Sequence, residues 1–243
     1  MKIPKDHPRY RSLVTREKLV EAYKQGVLAP EGLIAHGRGE SFDYLLGEKT
    51  VPPAEKAERA SAAMLLNSKR PVLSVNGNVA VLAGESIIRL AEAVPCKVEV
   101  NLFHRTEERI SKIAELLEAF SDMPVLGRNA TARIPDLDQP RGICDQKGIF
   151  SADTVLVALE DGDRTEALVR TGKDVIAIDL NPLCRTSQKA TITIVDEVTR
   201  ALPRIIYHVE ELKENPKLTQ ETICSFDNSE NLQELMEYIR NSL

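Results

Sequence analysis

Tryptophan is absent from this chain and aromatic residues make up only 4% of it, which removes base stacking on an aromatic platform as a mode of recognition. The cysteines Cys96, Cys144, Cys184 and Cys224 form no CxxC pair and lie about forty or more residues apart, so a zinc site is not expected and reduced cytosolic thiols are the default. No apolar run approaches a bilayer span, and the opening MKIPKDHPRYR has no apolar signal region. A cytoplasmic chain with no membrane segment is therefore expected. Basic charge is not in excess: 32 Lys and Arg face 37 Asp and Glu, for a net charge of −5, which argues against nucleic-acid and membrane-surface partners. No GxGxxG follows an apolar run, so the dinucleotide-binding signature is missing too. Internal repeats and low-complexity segments are likewise not found.

What is present is 243 residues with 42% hydrophobic content, enough for one large α/β domain or one domain with a helical appendage. Residues 1–70 read as helical. Leu13, Val20, Tyr23 and Val27 form an apolar stripe with Gly26 near its end; further helical patterns precede Gly37 and Gly47, and a fourth runs from Pro52 to Ser68. From Pro71 the texture changes to short apolar runs at 72–76, 97–103, 124–127, 153–160, 174–179 and 190–196, with helices fitting at 84–94, 106–120 and 165–171. Such alternation predicts a Rossmann-like, doubly wound parallel sheet covered on both faces, behind an N-terminal helical segment. The sheet-bearing core is expected over 71–215 and a helical tail over 216–243, with Ala130 to Gly148, rich in Pro, Asp and Arg, as a long loop. The last helix, near 231–240, offers packing or dimerisation rather than chemistry.

Chemistry is expected where loops leave the strands, because open α/β sheets bind ligands at the carboxyl ends of their strands. The segment DVIAIDLNPLCRTSQKATITIVD (174–196) brackets one such loop. There Asp179 can accept from ribose hydroxyls, Asn181 can read a base edge, and Arg185 with Thr186 can hold phosphate oxygens; the plain alternative is a solvated crossover. Ser74-Val-Asn76-Gly77-Asn78 reads as a strand-to-helix turn, whose helix start favours an anion. His36-Gly37-Arg38-Gly39-Glu40 imitates a P-loop but lacks both its Lys-Ser/Thr and a preceding strand; its glycines either free Arg38 to approach a ligand or end a helix. Thr106 suits a helix N-cap, which leaves His104 and Arg105 unexplained. Asp163 and Glu166 have capping-box spacing, leaving Glu160 and Asp161 for Mg²⁺, which takes one or two carboxylates plus phosphates. Arg164 is another potential anion ligand. Arg16, placed on the apolar stripe, needs a carboxylate or a phosphate as partner. Several arginines among few lysines on one sheet edge point to a phosphorylated substrate.

Over most of its length the chain also resembles the archaeal-type phosphopantothenate synthetases, the 4-phosphopantoate–β-alanine ligases. The resemblance is carried in order by IPKDHPRY, GLIAHGRGESFDYLLGEKT, SVNGNVA, NLFHRTEER, LEDGDRTEALVR and IDLNPLCRTSQKATITIVDEVTRALPR. It implies a homodimer that condenses 4-phosphopantoate with β-alanine, cleaving ATP to AMP and pyrophosphate through a phosphopantoyl adenylate. For ATP it implies Arg16, Arg38, Asp179, Leu180, Asn181, Arg185, Thr186, Glu197 and Val198. Cys184 and Thr186 stand where serine is the readier expectation, and Thr186 keeps the hydroxyl.

Two polyanions need fixed cations to meet. Arg16, Arg38 and Arg185 are the candidates for the triphosphate, with Asn76, Arg105 and Arg164 for the phosphate and carboxylate of phosphopantoate. His104 is a conceivable base for the amine, so Arg38, Arg105 and His104 form the catalytic candidates. The rival readings are a nucleotide-dependent oxidoreductase, opposed by the missing glycine signature, and a non-catalytic nucleotide sensor, opposed by the crowd of loop arginines and carboxylates.

Overall fold

The protein is described here by a computed structural model covering residues 3–242. Its chain opens with α1 (Tyr10–Lys24), α2 (Pro30–Leu46) and α3 (Pro52–Asn67). Proline opens α2 and α3, where its missing N–H costs nothing. The sequence patterns before Gly37 and Gly47 are one helix, not two. Gly37 and Gly39 lie inside α2, which ends at Gly47 in the left-handed conformation, φ 76°. The α1 stripe is also rotated from the expected one: Leu19 and Ala22 are buried, whereas Val20 and Tyr23 are 42% and 45% exposed. Arg16 therefore sits on the outer side of α1.

The alternating part follows as β1 (Pro71–Val75), α4 (Gly77–Ala93), β2 (Lys97–Val100), α5 (Glu107–Glu118) and β3 (Val125–Leu126). An excursion carries the short antiparallel pair β4 (Ala132–Arg133) and β5 (Ile143–Cys144), so the expected loop has a hairpin within it. Then come β6 (Thr154–Ala158), α6 (Gly162–Arg170), β7 (Asp174–Ile178), α7 (Arg185–Lys189), β8 (Ile192–Ile194), α8 (Val198–Lys213), α9 (Pro216–Cys224) and α10 (Asn228–Ser242). The main sheet has the order β3-β2-β1-β6-β7-β8, with all neighbours parallel. Strand order reverses between β1 and β6, and a crevice opens at such a switch point.

Each inner strand is buried on both faces, which explains the continuous apolar runs. Leu73, Val75, Val98, Val100, Ile176 and Ile178 face the layer formed by α3, α4, α5 and α8. Val72, Val155, Val157, Val175 and Ala177 face α6 and the excursion, meeting Leu168, Ile134, Leu137 and Ile149. On α10, Leu232, Leu235 and Ile239 close a smaller cluster with Leu46, Val51 and Leu180, packing this helix against α2 and α3. Among the described residues no helix is long and apolar enough to cross a membrane.

The helical segment is tied across the strand ends by charge. Arg200 on α8 donates from Nη1 and Nη2 to Asp43 of α2 at 3.0 and 2.5 Å, and from Nε to Asp196 at 2.8 Å. Thr50 Oγ donates to the other oxygen of Asp196 at 2.6 Å. Asp43 and Asp196 are both buried, so this paired network fixes where α2 crosses the sheet edge.

Candidate active site

Three hollows adjoin at the carboxyl ends of the strands, and Leu159, just after β6, lines all of them. Leu159 has φ 52°, a left-handed conformation that a leucine adopts only when its surroundings hold it. Those surroundings include the Asn76 amide, which donates to the carbonyls of Ala158 at 2.8 Å and Leu159 at 3.4 Å. The same Asn76 caps α4 by accepting from the Val79 N–H at 3.1 Å. Asn76 thus lines the β1–β6 cavity, but both ends of its amide are already engaged. It is a scaffold residue more than a ligand donor, a correction to the expectation above.

In the β7–β8 cavity, Asp179, Leu180, Glu197 and Val198 come together with Gly39 and Glu40 of α2. Asp179 accepts from the Asn181 N–H at 2.8 Å, and its burial pushes the carboxyl pKa up. Glu197 caps α8 by accepting from the Thr199 N–H at 2.8 Å, and burial raises its pKa too. His36 lines this cavity with a buried Nε2 that has no partner; burial lowers its pKa, favouring the neutral ring. Arg16 does not enter. Its guanidinium, 43% exposed, meets Glu40 at 2.5 Å, so the carboxylate answers the charge that the sequence left open.

Between β6 and β7 a middle cavity joins Arg38, Asp161, Gly162, Asp179, Asn181 and Arg185. Arg38 is exposed and makes no hydrogen bond or ion pair with the described residues, although its charge acts on Asp179. A Cβ on the neighbouring Gly37 would meet nothing within 4 Å. A Cβ on Gly39 would reach only Leu180, at 3.5 Å, and each helical glycine costs about 1 kcal/mol relative to alanine.

Arg185 and Thr186 line the middle cavity but are committed elsewhere. The Arg185 guanidinium is held by Asp163 and Glu166, and the buried Thr186 hydroxyl donates to the Glu160 carbonyl at 2.7 Å. Asp163 and Glu166 therefore hold an arginine instead of forming a capping box; the residue before α6 is Asp161. Gly162 permits this packing, because a Cβ there would lie 2.5 Å from that of Arg185.

The β1–β6 cavity lies at the switch point and contains Arg38, Arg109, Arg141, His104 and Asp161. Arg109 and Arg141 were not foreseen. Arg141 comes from the excursion; its Nη1 reaches Glu160 and, at 3.0 Å, Asp161. Arg109 donates to the His104 carbonyl, and burial depresses its pKa. The Nε atoms of both Arg109 and Arg141 are buried without a partner. Arg105 Nη1 and Arg164 Nε are buried unpaired as well, so what distinguishes Arg109 and Arg141 is their place in the lining of this concave site. His104 is half exposed at the rim, with Nε2 3.4 Å from Glu31.

The structure withdraws the remaining candidates. Arg164, 1% exposed, pairs with Glu160 and donates to Ser74 at 3.1 Å, and is not in the lining of these three cavities. Glu160, 2% exposed, is enclosed by Arg164 and Arg141 and offers no free oxygen to a metal. Arg105 turns away from the cavities and donates to the Gly127 carbonyl at 2.7 Å. No group of three or more His, Cys, Asp or Glu among the described residues could hold a metal ion. A divalent ion carried in on phosphates needs only one or two carboxylates, and Asp161, facing two cavities, fits that role where Glu160 does not.

With this geometry in view, comparison with known proteins is specific. A family model described as phosphopantothenate/pantothenate synthetase matches residues 53–242. A 4-phosphopantoate–β-alanine ligase of Thermococcus kodakarensis is 51% identical over 99% of this chain and 93% of its own. The like-named protein of Thermococcus onnurineus is 52% identical over 100% of this chain and 94% of its own. That of Methanosarcina mazei is 50% identical over 99% and 95%, respectively.

Proposed function

Since the chain belongs to the phosphopantothenate/pantothenate synthetase family, we propose that it is a homodimeric ATP-dependent ligase joining 4-phosphopantoate to β-alanine. The observation that carries this reading is half-identity, end to end, with ligases named for that pair of substrates. Adjoining cavities at one sheet edge support it, because the reaction needs neighbouring places for a nucleotide and a phosphorylated acid.

The nucleotide occupies the β7–β8 and middle cavities. Asp179, Leu180, Asn181, Glu197 and Val198 surround its nucleoside, and Arg38 meets its phosphates. Phosphopantoate occupies the β1–β6 cavity, with Arg109 and Arg141 supplying the cations that Arg105 and Arg164 do not. Mg²⁺, when bound, neutralises phosphate charge beside Asp161.

A carboxylate oxygen of phosphopantoate attacks the α-phosphorus of ATP. The new O–P bond forms as the bond to pyrophosphate breaks, and the mixed anhydride is an acyl adenylate. The β-alanine amine then attacks the acyl carbon; the C–O bond to AMP breaks, and the amine proton leaves to His104 or water. Arg38, at the boundary of the two cavities, lies where negative charge builds up in the first step, and a fixed cation there acts most strongly in the transition state.

Product analysis tests this reading. Purified protein is expected to release AMP and pyrophosphate, and to form phosphopantothenate, when ATP, 4-phosphopantoate and β-alanine are all present. Omitting either acid should stop continuous turnover. Release of ADP would move the chain to acyl-phosphate chemistry.

A further inference from the structure

Strand β2 carries an anomaly. In a sheet covered on both faces, Val98 and Val100 join the core, but Lys97, Glu99 and, just past the strand, Asn101 point to the other side and are all polar. Glu99 is fully buried and Asn101 is 1% exposed. Each of the three grips the backbone of the excursion. Lys97 Nζ donates to the Lys147 carbonyl at 2.6 Å. The Glu99 oxygens accept from the Asp145 N–H at 2.8 Å and the Ile149 N–H at 2.6 Å. Asn101 donates to the carbonyls of Arg141 at 3.2 Å and Ile143 at 3.0 Å. Gly148 makes the close approach possible, since a Cβ there would lie 2.0 Å from a Glu99 oxygen.

We propose that this polar face of β2 is a positioning device: Glu99 and Asn101 lock the excursion in the one setting that delivers Arg141 into the β1–β6 cavity. The proposal rests on the reading of that cavity as the seat of the phosphorylated acid. Glu99 and Asn101 touch no substrate; they act through Arg141. A buried carboxylate held only by backbone N–H groups is an expensive way to anchor a loop. Its use is that both its oxygens accept, so two amides four residues apart, those of Asp145 and Ile149, are fixed at once.

Titration gives the device an unusual signature. Burial pushes the Glu99 carboxyl up to about 7, against the two backbone bonds and the nearby Arg164 of α6, which favour the charge. Asp145 and Cys144 on the excursion and Arg105 after β2 are the other charged or titratable groups acting on it. Because the folded value lies above that of an ordinary carboxyl, its contribution to stability is full at low pH. That contribution is lost as pH rises through about 7. Positioning runs the opposite way, since only the ionised group accepts at both oxygens.

The test is Glu99→Gln, which keeps the shape but leaves one acceptor and one donor facing two N–H groups. At a pH above the Glu99 titration, KM for 4-phosphopantoate should rise about tenfold, the equivalent of roughly 1.4 kcal/mol. KM for ATP and β-alanine should stay near the parent values. In an Arg141→Ala background, Glu99→Gln should add nothing further. Lowering the pH should raise the acid's KM in the parent beyond what the substrate phosphate itself causes, and Glu99→Gln should lack that extra rise. Its stability relative to the parent should meanwhile improve as pH increases. Asn101→Ser is the second variant if Glu99→Gln folds poorly. It removes both bonds to the excursion together with an Oδ1 that is buried unpaired, and should raise the same KM selectively. Equal changes in all three KM values, or full additivity with Arg141→Ala, would overturn the proposal. A parent protein that does not turn over 4-phosphopantoate at all would instead count against the assigned reaction.

Discussion

Replacing Arg38 with alanine is expected to lower kcat by roughly a hundredfold or more while leaving the melting temperature near that of the parent, by analogy with the loss of one preorganised transition-state donor. The two halves of this expectation have separate causes. Stability is spared because Arg38 is exposed, has no partner among the described residues, and sits in a helix where alanine is the best-tolerated residue. Activity is not spared because Arg38 lines both the β1–β6 and middle cavities, where the acid and the phosphates meet in the proposed reaction. Arg38→Lys should recover only part of the rate, since a lysine lacks the planar fork that binds two oxygens together. Steady-state kinetics beside a thermal melt reads both halves. Near-parent turnover would remove Arg38 from the site, and a collapsed fold would assign it a packing role.

Arg141→Ala should fail in a different way, losing both affinity and stability. Arg141 is 5% exposed and shares Glu160 with Arg164. Removing one partner of a buried ion pair costs about 3 kcal/mol or more, although Arg164 remains to hold Glu160 and keeps the loss near the lower end. KM for 4-phosphopantoate should rise by roughly a hundredfold, because a charge-assisted hydrogen bond contributes about 1.5–3 kcal/mol. Arg141→Lys should restore much of the stability and little of the affinity. Unchanged KM with lowered stability would make Arg141 purely structural.

The contrast between these arginines shows what the sequence could convey. The strands were legible because runs such as VLVA and VIAI are apolar on both faces, a pattern that few alternatives produce. The loops at their ends were legible for the same reason: a parallel sheet leaves ligands one edge to occupy. Arg38, marked in the sequence by its flanking glycines, is exposed on α2 and lines two of the cavities. The phase of α1 was hidden because Val20 and Tyr23 are apolar yet exposed, while Thr15 lines a cavity from the inner side. Arg16 was misplaced with them.

Pairing was hidden more deeply. Glu160 and Asp161 are adjacent in the chain and looked equally free. Only the fold brings Arg141, about twenty residues upstream, onto both, and loop closure of that kind leaves no local trace. Arg164 and Arg105 illustrate the same blindness, since an arginine facing a buried partner reads like one facing a ligand. The sequence does carry one mark of how the excursion is anchored. KVEVN alternates polar and apolar residues in a strand that should be apolar throughout, and the polar half marks the grip on the excursion.

Central to the assigned reaction is activation of the acid on the α-phosphorus of ATP, and isotope transfer tests that step directly. With 4-phosphopantoate carrying heavy oxygen in its carboxylate, each turnover with ATP and β-alanine is followed by mass analysis of the products. Attack through that carboxylate must leave one of its oxygens on AMP when the amide forms. The predicted result is one heavy oxygen in each AMP released, matched to the phosphopantothenate made. Heavy oxygen in inorganic phosphate with release of ADP, or AMP free of the label, would contradict it.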